Sequence, residues 1–423
     1  MKRPVVRSEY WTLLALLGLG LLVRVFFMHD DGFHNDVASF EGWAMTLAEH
    51  PLRDFYAKAG FADYPPGYFY VLWLIGHLYE PFKTADPSFG FLRYLVKVPA
   101  VLTDLAVGAA IYAVVRRFAD LRWALVAAAC YILNPAIIFI SASWGQIDSI
   151  AGGLGLLGLY LLIRSDGEED GRASWFIVLA WASLAYSLLI KPQGIMLAPL
   201  FLAFAFTAPE RRTMRLRATA TGVLSGFILA YVLCLPFHPS ANPVTLFGWL
   251  LQRYSYGAGV YAVNSVNAFN LWTVRYPFWQ PDSSLVFFLP QYIWGILLLA
   301  AATVLVLMRY IAAATHRALL ESAALLTLAF FILSTRMHER YVFDGLLFTI
   351  VLVFAGRRYV AAAGVLSVTL FVNLMYSIHY MNVMEQHLPV DATNLWPVLT
   401  NLLSFANLAV FFFLGYMFLG SEQ

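Results

Sequence analysis

The sequence predicts an all-α protein, a polytopic transmembrane helical bundle, on three observations: scarce charge, repeated apolar runs of membrane-crossing length, and short basic loops on alternate connections. Of 423 residues, 61% are hydrophobic and 12% charged, whereas a soluble domain carries roughly 25% charged residues. Apolar runs of about 17–25 residues, enough to cross a hydrocarbon core of roughly 30 Å, recur from Trp11 to Leu419. The runs are unbroken and rich in Leu and Ala. They lack the alternation of a barrel strand, so helices that satisfy their own backbone in lipid are expected.

The first run, Trp11 to Met28, follows Lys2, Arg3 and Arg7, carries Arg24 and lacks a small-residue cleavage site; it reads as a retained anchor rather than a secretory signal. Cys130 and Cys234 lie in apolar runs, where a thiol behaves as a small hydrophobe, and imply neither a disulfide framework nor a zinc site. Basic loops orient helices because cytoplasmic connections are rich in Lys and Arg. With the N-terminus, 116–122, 164–172, 211–217, 309–317 and 357–358 inside, runs near 123–141, 148–164, 173–190, 194–208, 217–236, 283–308, 318–334, 341–355, 358–376 and 397–418 alternate consistently. The short run Pro66 to Tyr79 must then dip in without crossing. The count is about 12 spans, in a range of about 11–13. The charged loop Ser165 to Arg172 reads as a solvated turn.

Residues 1–423 are thus expected to form a single transmembrane unit with two long outward segments, 29–65 and 237–282. Long loops in compact folds are functional or disordered, and these are too aromatic for disorder. Short interfacial helices over a cavity are expected. The net charge of +2 points to no acidic partner, and no nucleic acid is expected to bind.

Polar residues interrupt the apolar pattern at the outward turns. Asp36, just past the first run, reads either as a helix cap or as a carboxylate general base at the membrane edge. Asp63 and Tyr64 precede Pro65-Pro66; proline at a helix start is ordinary, but the acid and the tyrosine suit sugar hydroxyls. Trp144, Gln146 and Asp148 form a polar break between two apolar runs, and an Asp at the membrane edge is costly enough to suggest function beyond a turn. Lys191 and Gln193, and later Arg336, His338 and Arg340, interrupt the outer side again. Snorkelling would account for such cations, but the positive-inside bias runs against it, and their donors suit a phosphate. Arg253, Tyr254, Tyr256, Asn264, Asn267, Asn270, Trp272 and Arg275 mix aromatic faces with amides, as an anchoring belt or a sugar-binding surface would.

In order, Asp36, Asp-Tyr-Pro-Pro at 63–66, Asn134-Pro135, Trp-Gly-Gln-Ile-Asp at 144–148, Lys-Pro-Gln at 191–193, Asn-Ala-Phe-Asn-Leu-Trp at 267–272 and Met-His-Glu-Arg at 337–340 resemble the GT-C superfamily. These are polytopic glycosyltransferases that use polyprenyl-phosphate sugars. The closest look is to the dolichyl-phosphate-glucose glucosyltransferases and bacterial relatives, over roughly residues 1 to 345. The resemblance implies that Asp36 is the catalytic carboxylate of the first external loop and that the His-Glu-Arg cluster lies near the donor phosphate. Arg340 stands where the eukaryotic relatives carry Lys, and Asp148 falls where they carry a different stretch. No Asp-Glu pair follows the first run, which departs from the protein O-mannosyltransferases.

The expected reaction is inverting. An acceptor hydroxyl of a lipid-linked or cell-envelope glycan attacks the anomeric carbon of a polyprenyl-phosphate hexose, Asp36 takes the proton, and Arg336, His338, Arg340 and Lys191 face the leaving phosphate. Asp63, Tyr64, Trp144, Gln146, Asp148, Gln193, Asn267, Asn270 and Trp272 would contact sugar or acceptor. No nucleotide or redox cofactor is required; a divalent metal is not demanded, although Asp36 with Asp148 offers two carboxylates. The competing class is a transporter or flippase of an anionic or glycolipid substrate. A bacterial inner membrane with the active face outward is the expected setting.

Overall fold

The computed structural model describes residues 7–274, 277–385 and 396–420. Among these, eight helices are long and apolar enough to cross a membrane, or nine if the bent pair Leu121–Ile132 and Pro135–Trp144 is one span. The protein is an all-α, integral multi-pass membrane bundle. The runs near 148–164, 194–208 and 341–355 are also helical but fall outside that count. Pro192–Phe204 and Phe343–Ala355 are short, and Asp148–Ser165 is one continuous helix whose apolar character is diluted by Asp148, Arg164 and four glycines. Burial in protein rewards apolar residues as lipid does, so an apolar run does not by itself measure a crossing.

The hub is His316–Leu333, with 83% of its apolar window inside the protein, against 11% for the lipid-facing helices Tyr10–Phe27 and Gln291–Ala313. Phe343–Val351 packs beside it, and together they hold the largest core cluster.

The first outward segment folds as His34–Glu49 followed by the short helix Phe55–Lys58. His34–Glu49 buries Val37, Phe40, Trp43, Ala44 and Leu47, spaced by three and four along one face. That face lies on Phe69–Tyr79, an 11-residue helix that spans only about 16 Å at the α-helical rise. Contact is close enough that a Cβ on Gly76 would sit 2.1 Å from the Ala44 carbonyl. The second outward segment supplies the helix Pro243–Val260, capped by the Asn242 side chain.

Behind the first segment, Leu121–Ile132 breaks at Asn134-Pro135 with a 44° bend and re-forms as Pro135–Ile138 and a π-helical turn, Phe139–Trp144. Proline cannot continue the hydrogen-bond ladder, which accounts for the break. Gly145, at φ 87°, then turns the chain sharply toward Gln146; an L side chain there would be strained.

The basic loops gather at one end of the bundle. Asp166 pairs with Arg215 and with His316 at 2.7 Å, Arg211 reaches Asp170 at 3.0 Å, and Phe118 stacks on Phe354. The loop from Ser165 to Arg172 is therefore not a free solvated turn. Its carboxylates clamp three connections together.

Candidate active site

At the opposite end, the outward turns converge on one cavity of about 120 Å³ lined by Asp36, Asp63, Tyr64, Gln146, Lys191, Gln193, Tyr261, His338 and Arg340, among others. These residues span more than 300 positions of sequence, so only the packing of the bundle brings them together. The π-helical turn and Gly145 aim the 144–148 break at Asp36: Trp144 Nε1 and Gln146 Nε2 each donate to Asp36 Oδ2 at 2.7 Å. Two donors on one oxygen fix the carboxylate's orientation and leave the other oxygen without a bond to protein among the described residues.

Lys191, released from the end of Asp170–Ile190 by Pro192, points inward. Its Nζ donates to Gln146 Oε1 and Asp148 Oδ1, both at 2.9 Å, and the Tyr64 hydroxyl donates to the same Gln146 oxygen at 3.1 Å. Gln146 thus relays between the acid at 36 and the cation at 191. Arg340 holds the centre: it donates to Glu339 at 2.5 Å, approaches Asp36 at 3.7 Å and Asp148 at 3.9 Å, and lies over the Trp144 ring. Its Nε and Asp148 Oδ2 are buried without hydrogen-bond partners and lie 3.9 Å apart.

Among the described residues, Asp36, Asp63, Asp148 and Glu339 thus gather around two basic side chains, Lys191 and Arg340. Burial pushes the Asp63 and Glu339 carboxyls above their ordinary range, and it pulls Lys191 down against the opposing pull of Asp148. Burial, aided by Arg340 and Lys191, holds His338 well below its usual value. A neutral imidazole has one donor and one acceptor, so His338, set between the Tyr261 and Tyr341 rings at 5.0 Å from each, does not add a cation. The carboxylates of Asp36 and Asp148, considered for a metal, already have the Arg340 guanidinium between them. Among the described residues no group of three or more His, Cys, Asp or Glu side chains is arranged to hold a metal ion.

Other predicted positions lie elsewhere. Arg336 turns away, at φ 64°, and is held by Asp282 at 2.6 Å and the Ala258 carbonyl. Asn270 and Trp272 donate to carbonyls at the end of His316–Leu333, and Asn267 binds Trp279 and Asn373. These polar groups are consumed in tying the second outward loop to the bundle, and none lines the cavity. Parallel pairing of Ser265–Val266 with Met337–His338 completes that tie and sets His338 over the cavity. Arg275 lies outside the described residues. The sequence reading missed Glu339 as the partner of Arg340 and Tyr261 as a wall; Glu339 adjoins a residue already singled out, whereas nothing local marks Tyr261.

Residues 63–237 match the profile of the family described as dolichyl-phosphate-mannose-protein mannosyltransferase. The match covers less than half of the chain and is to a different family of glycosyltransferases from the glucosyltransferases that the motifs resemble most. No curated protein matches by sequence. Among solved structures, the archaeal oligosaccharyltransferase AglB from Archaeoglobus fulgidus, in complex with an inhibitory peptide and a dolichol-phosphate, aligns over 96% of this chain with 13% identity and a TM-score of 0.48. ArnT from Cupriavidus metallidurans, bound to undecaprenyl phosphate, aligns over 98% of this chain and 78% of its own, with 14% identity and a TM-score of 0.48. The chain spans about 55% of the AglB chain's length.

Proposed function

We propose that this protein is an inverting glycosyltransferase that moves a hexose from a polyprenyl-phosphate sugar to a lipid-linked or cell-envelope glycan, at the membrane face away from the basic loops. That face would be the periplasmic side of a bacterial inner membrane. The observation that carries the reading is the clamped Asp36 carboxylate, with one oxygen open to a cavity that also holds Lys191 and Arg340. Asp36 accepts the acceptor's hydroxyl proton as that oxygen attacks the anomeric carbon, and the sugar–phosphate bond breaks with its electron pair leaving on the lipid phosphate. Arg340 and Lys191 counter the charge that develops there. His338, Tyr64, Gln193 and Asp63 bind hydroxyls. The lipid phosphate is already an activated leaving group, so no nucleotide or redox cofactor enters the scheme. The match of residues 63–237 to a glycosyltransferase family supports the reaction class.

The test is to incubate the purified protein in nanodiscs with a panel of polyprenyl-phosphate sugars and glycolipid acceptors. Asp36→Asn should cut turnover by about 10²–10⁴-fold, the usual contribution of a general base, with donor binding retained. Undiminished turnover in that variant removes Asp36 as the base. Translocation of a lipid without bond transfer would favour a flippase.

A further inference from the structure

Behind the π-helical turn, between spans, lies a charged network that the proposed mechanism does not use. Arg24 and Asp104 are fully buried and paired, with Nε to Oδ2 at 2.8 Å. Arg24 also donates to the Ile132 carbonyl at 2.7 Å, at the end of the helix that breaks before Pro135. The Ile132 carbonyl loses its helical donor because the Ala136 N–H turns to Asn134 Oδ1; in lipid such a group must find another partner, and Arg24 supplies it. Asp104 in turn accepts from the Tyr131 hydroxyl at 3.3 Å and from Ser141 Oγ at 2.6 Å. Ser141 lies inside the π-helical turn, three residues before Trp144, whose indole N–H donates to Asp36. Both sides of the broken helix are therefore anchored on one ion pair.

We propose that Asp104 and Ser141 are positioning residues for the reaction, fixing the π-helical turn so that Trp144 and Gln146 aim Asp36 at the acceptor. This inference rests on the transferase reading of Asp36. Buried ion pairs are costly and are poor sources of stability compared with apolar packing. A π-turn is a strained departure from the α-ladder that recurs at functional sites, and here a fixed acceptor holds its middle. Side-chain bonds link Arg24 to Asp104, Asp104 to Ser141, and Trp144 to Asp36, and the backbone of the π-helical turn joins Ser141 to Trp144.

Ser141→Ala is the informative variant, because it removes one hydrogen bond without leaving a buried charge unpaired. Measured in the full-length protein in nanodiscs, it should lower kcat on the order of ten-fold, the worth of one hydrogen bond to a charged group, with donor KM unchanged. Ser141→Cys, a weaker donor of similar size, should fall between. Combining Ser141→Ala with Trp144→Phe should cost no more than about two-fold beyond Trp144→Phe alone, since both act on the same contact. Hydrogen exchange, which needs no activity, should quicken over 139–146 in Ser141→Ala while Leu121–Ile132 stays protected. Unchanged kcat or exchange in Ser141→Ala, or fully multiplicative effects in the double variant, overturns the positioning role. If Asp36→Asn is inactive and Ser141→Ala is unaffected, only this inference fails; undiminished turnover in Asp36→Asn removes Asp36 as the base and this inference with it.

Discussion

Charged side chains cluster at both ends of this bundle, and the two clusters are built differently. At the basic end, Arg215, nearly buried, pairs with Asp166, donates to the Phe204 carbonyl at 2.9 Å and stacks over the Phe204 ring, while Arg211 reaches Asp170 and His316 reaches Asp166. Arg211 and Arg215 each meet a carboxylate and a backbone carbonyl, which is what a clamp between connections requires. At the other end, four carboxylates crowd two cations around a cavity, and Arg340 sits between three acids with one nitrogen unbonded. Arg215 and Arg340 each keep a buried Nε without a hydrogen-bond partner, so the difference lies in the surroundings: carboxylates outnumber cations beside Arg340, and a cavity opens next to it.

The same conservative change at each end should expose the contrast most strongly. Arg340→Lys keeps the charge but loses the planar fork, and should reduce turnover about 10²-fold, the usual cost of a lost electrostatic stabiliser, with little change in Tm. Arg215→Lys should leave turnover intact while lowering stability by about 1–2 kcal/mol, read by thermal unfolding in detergent. Equal losses of turnover from both would erase the distinction.

A smaller effect concerns pH. Burial raises the Asp63 carboxyl, so the folded protein holds that proton where the unfolded chain has released it. Stability from this group is complete below the ordinary carboxylate value and is lost as pH rises through the raised folded value. Its ionisation also adds negative charge to the cavity proposed to take the anionic donor, so donor affinity should weaken over the same window. Asp63→Asn should flatten both pH dependences; a donor Kd that stays as pH-dependent as in the native protein would clear Asp63 of the role.

The smallest effect belongs to the exposed pair Arg172–Glu168, at 3.1 Å. Arg172→Ala should change stability by less than about 1 kcal/mol and turnover not at all. A larger loss would mean that the basic end does more than clamp.

The membrane class and the places where the site would form were readable in the residues themselves. In a chain with 12% charged residues, any polar break is a strong local signal, and Asp36, Asp63, Tyr64, Gln146, Lys191, Gln193, His338 and Arg340 all announced themselves that way and all line the cavity. What the amino-acid order could not reveal is which polar residue meets which. Arg336 looked like its neighbour Arg340, yet Asp282 captures it; Asn267, Asn270 and Trp272 looked like a sugar surface, yet their donors and acceptors fasten a loop. Asp104 lies inside an apolar run with no motif around it and became visible only beside Arg24 and Ser141. The reason is physical. Lipid exposure and protein burial both select apolar residues, and both force a polar group to find a partner, but the partner is chosen by helices that meet across hundreds of residues. Apolarity is written locally along the chain, whereas pairing is decided by tertiary packing.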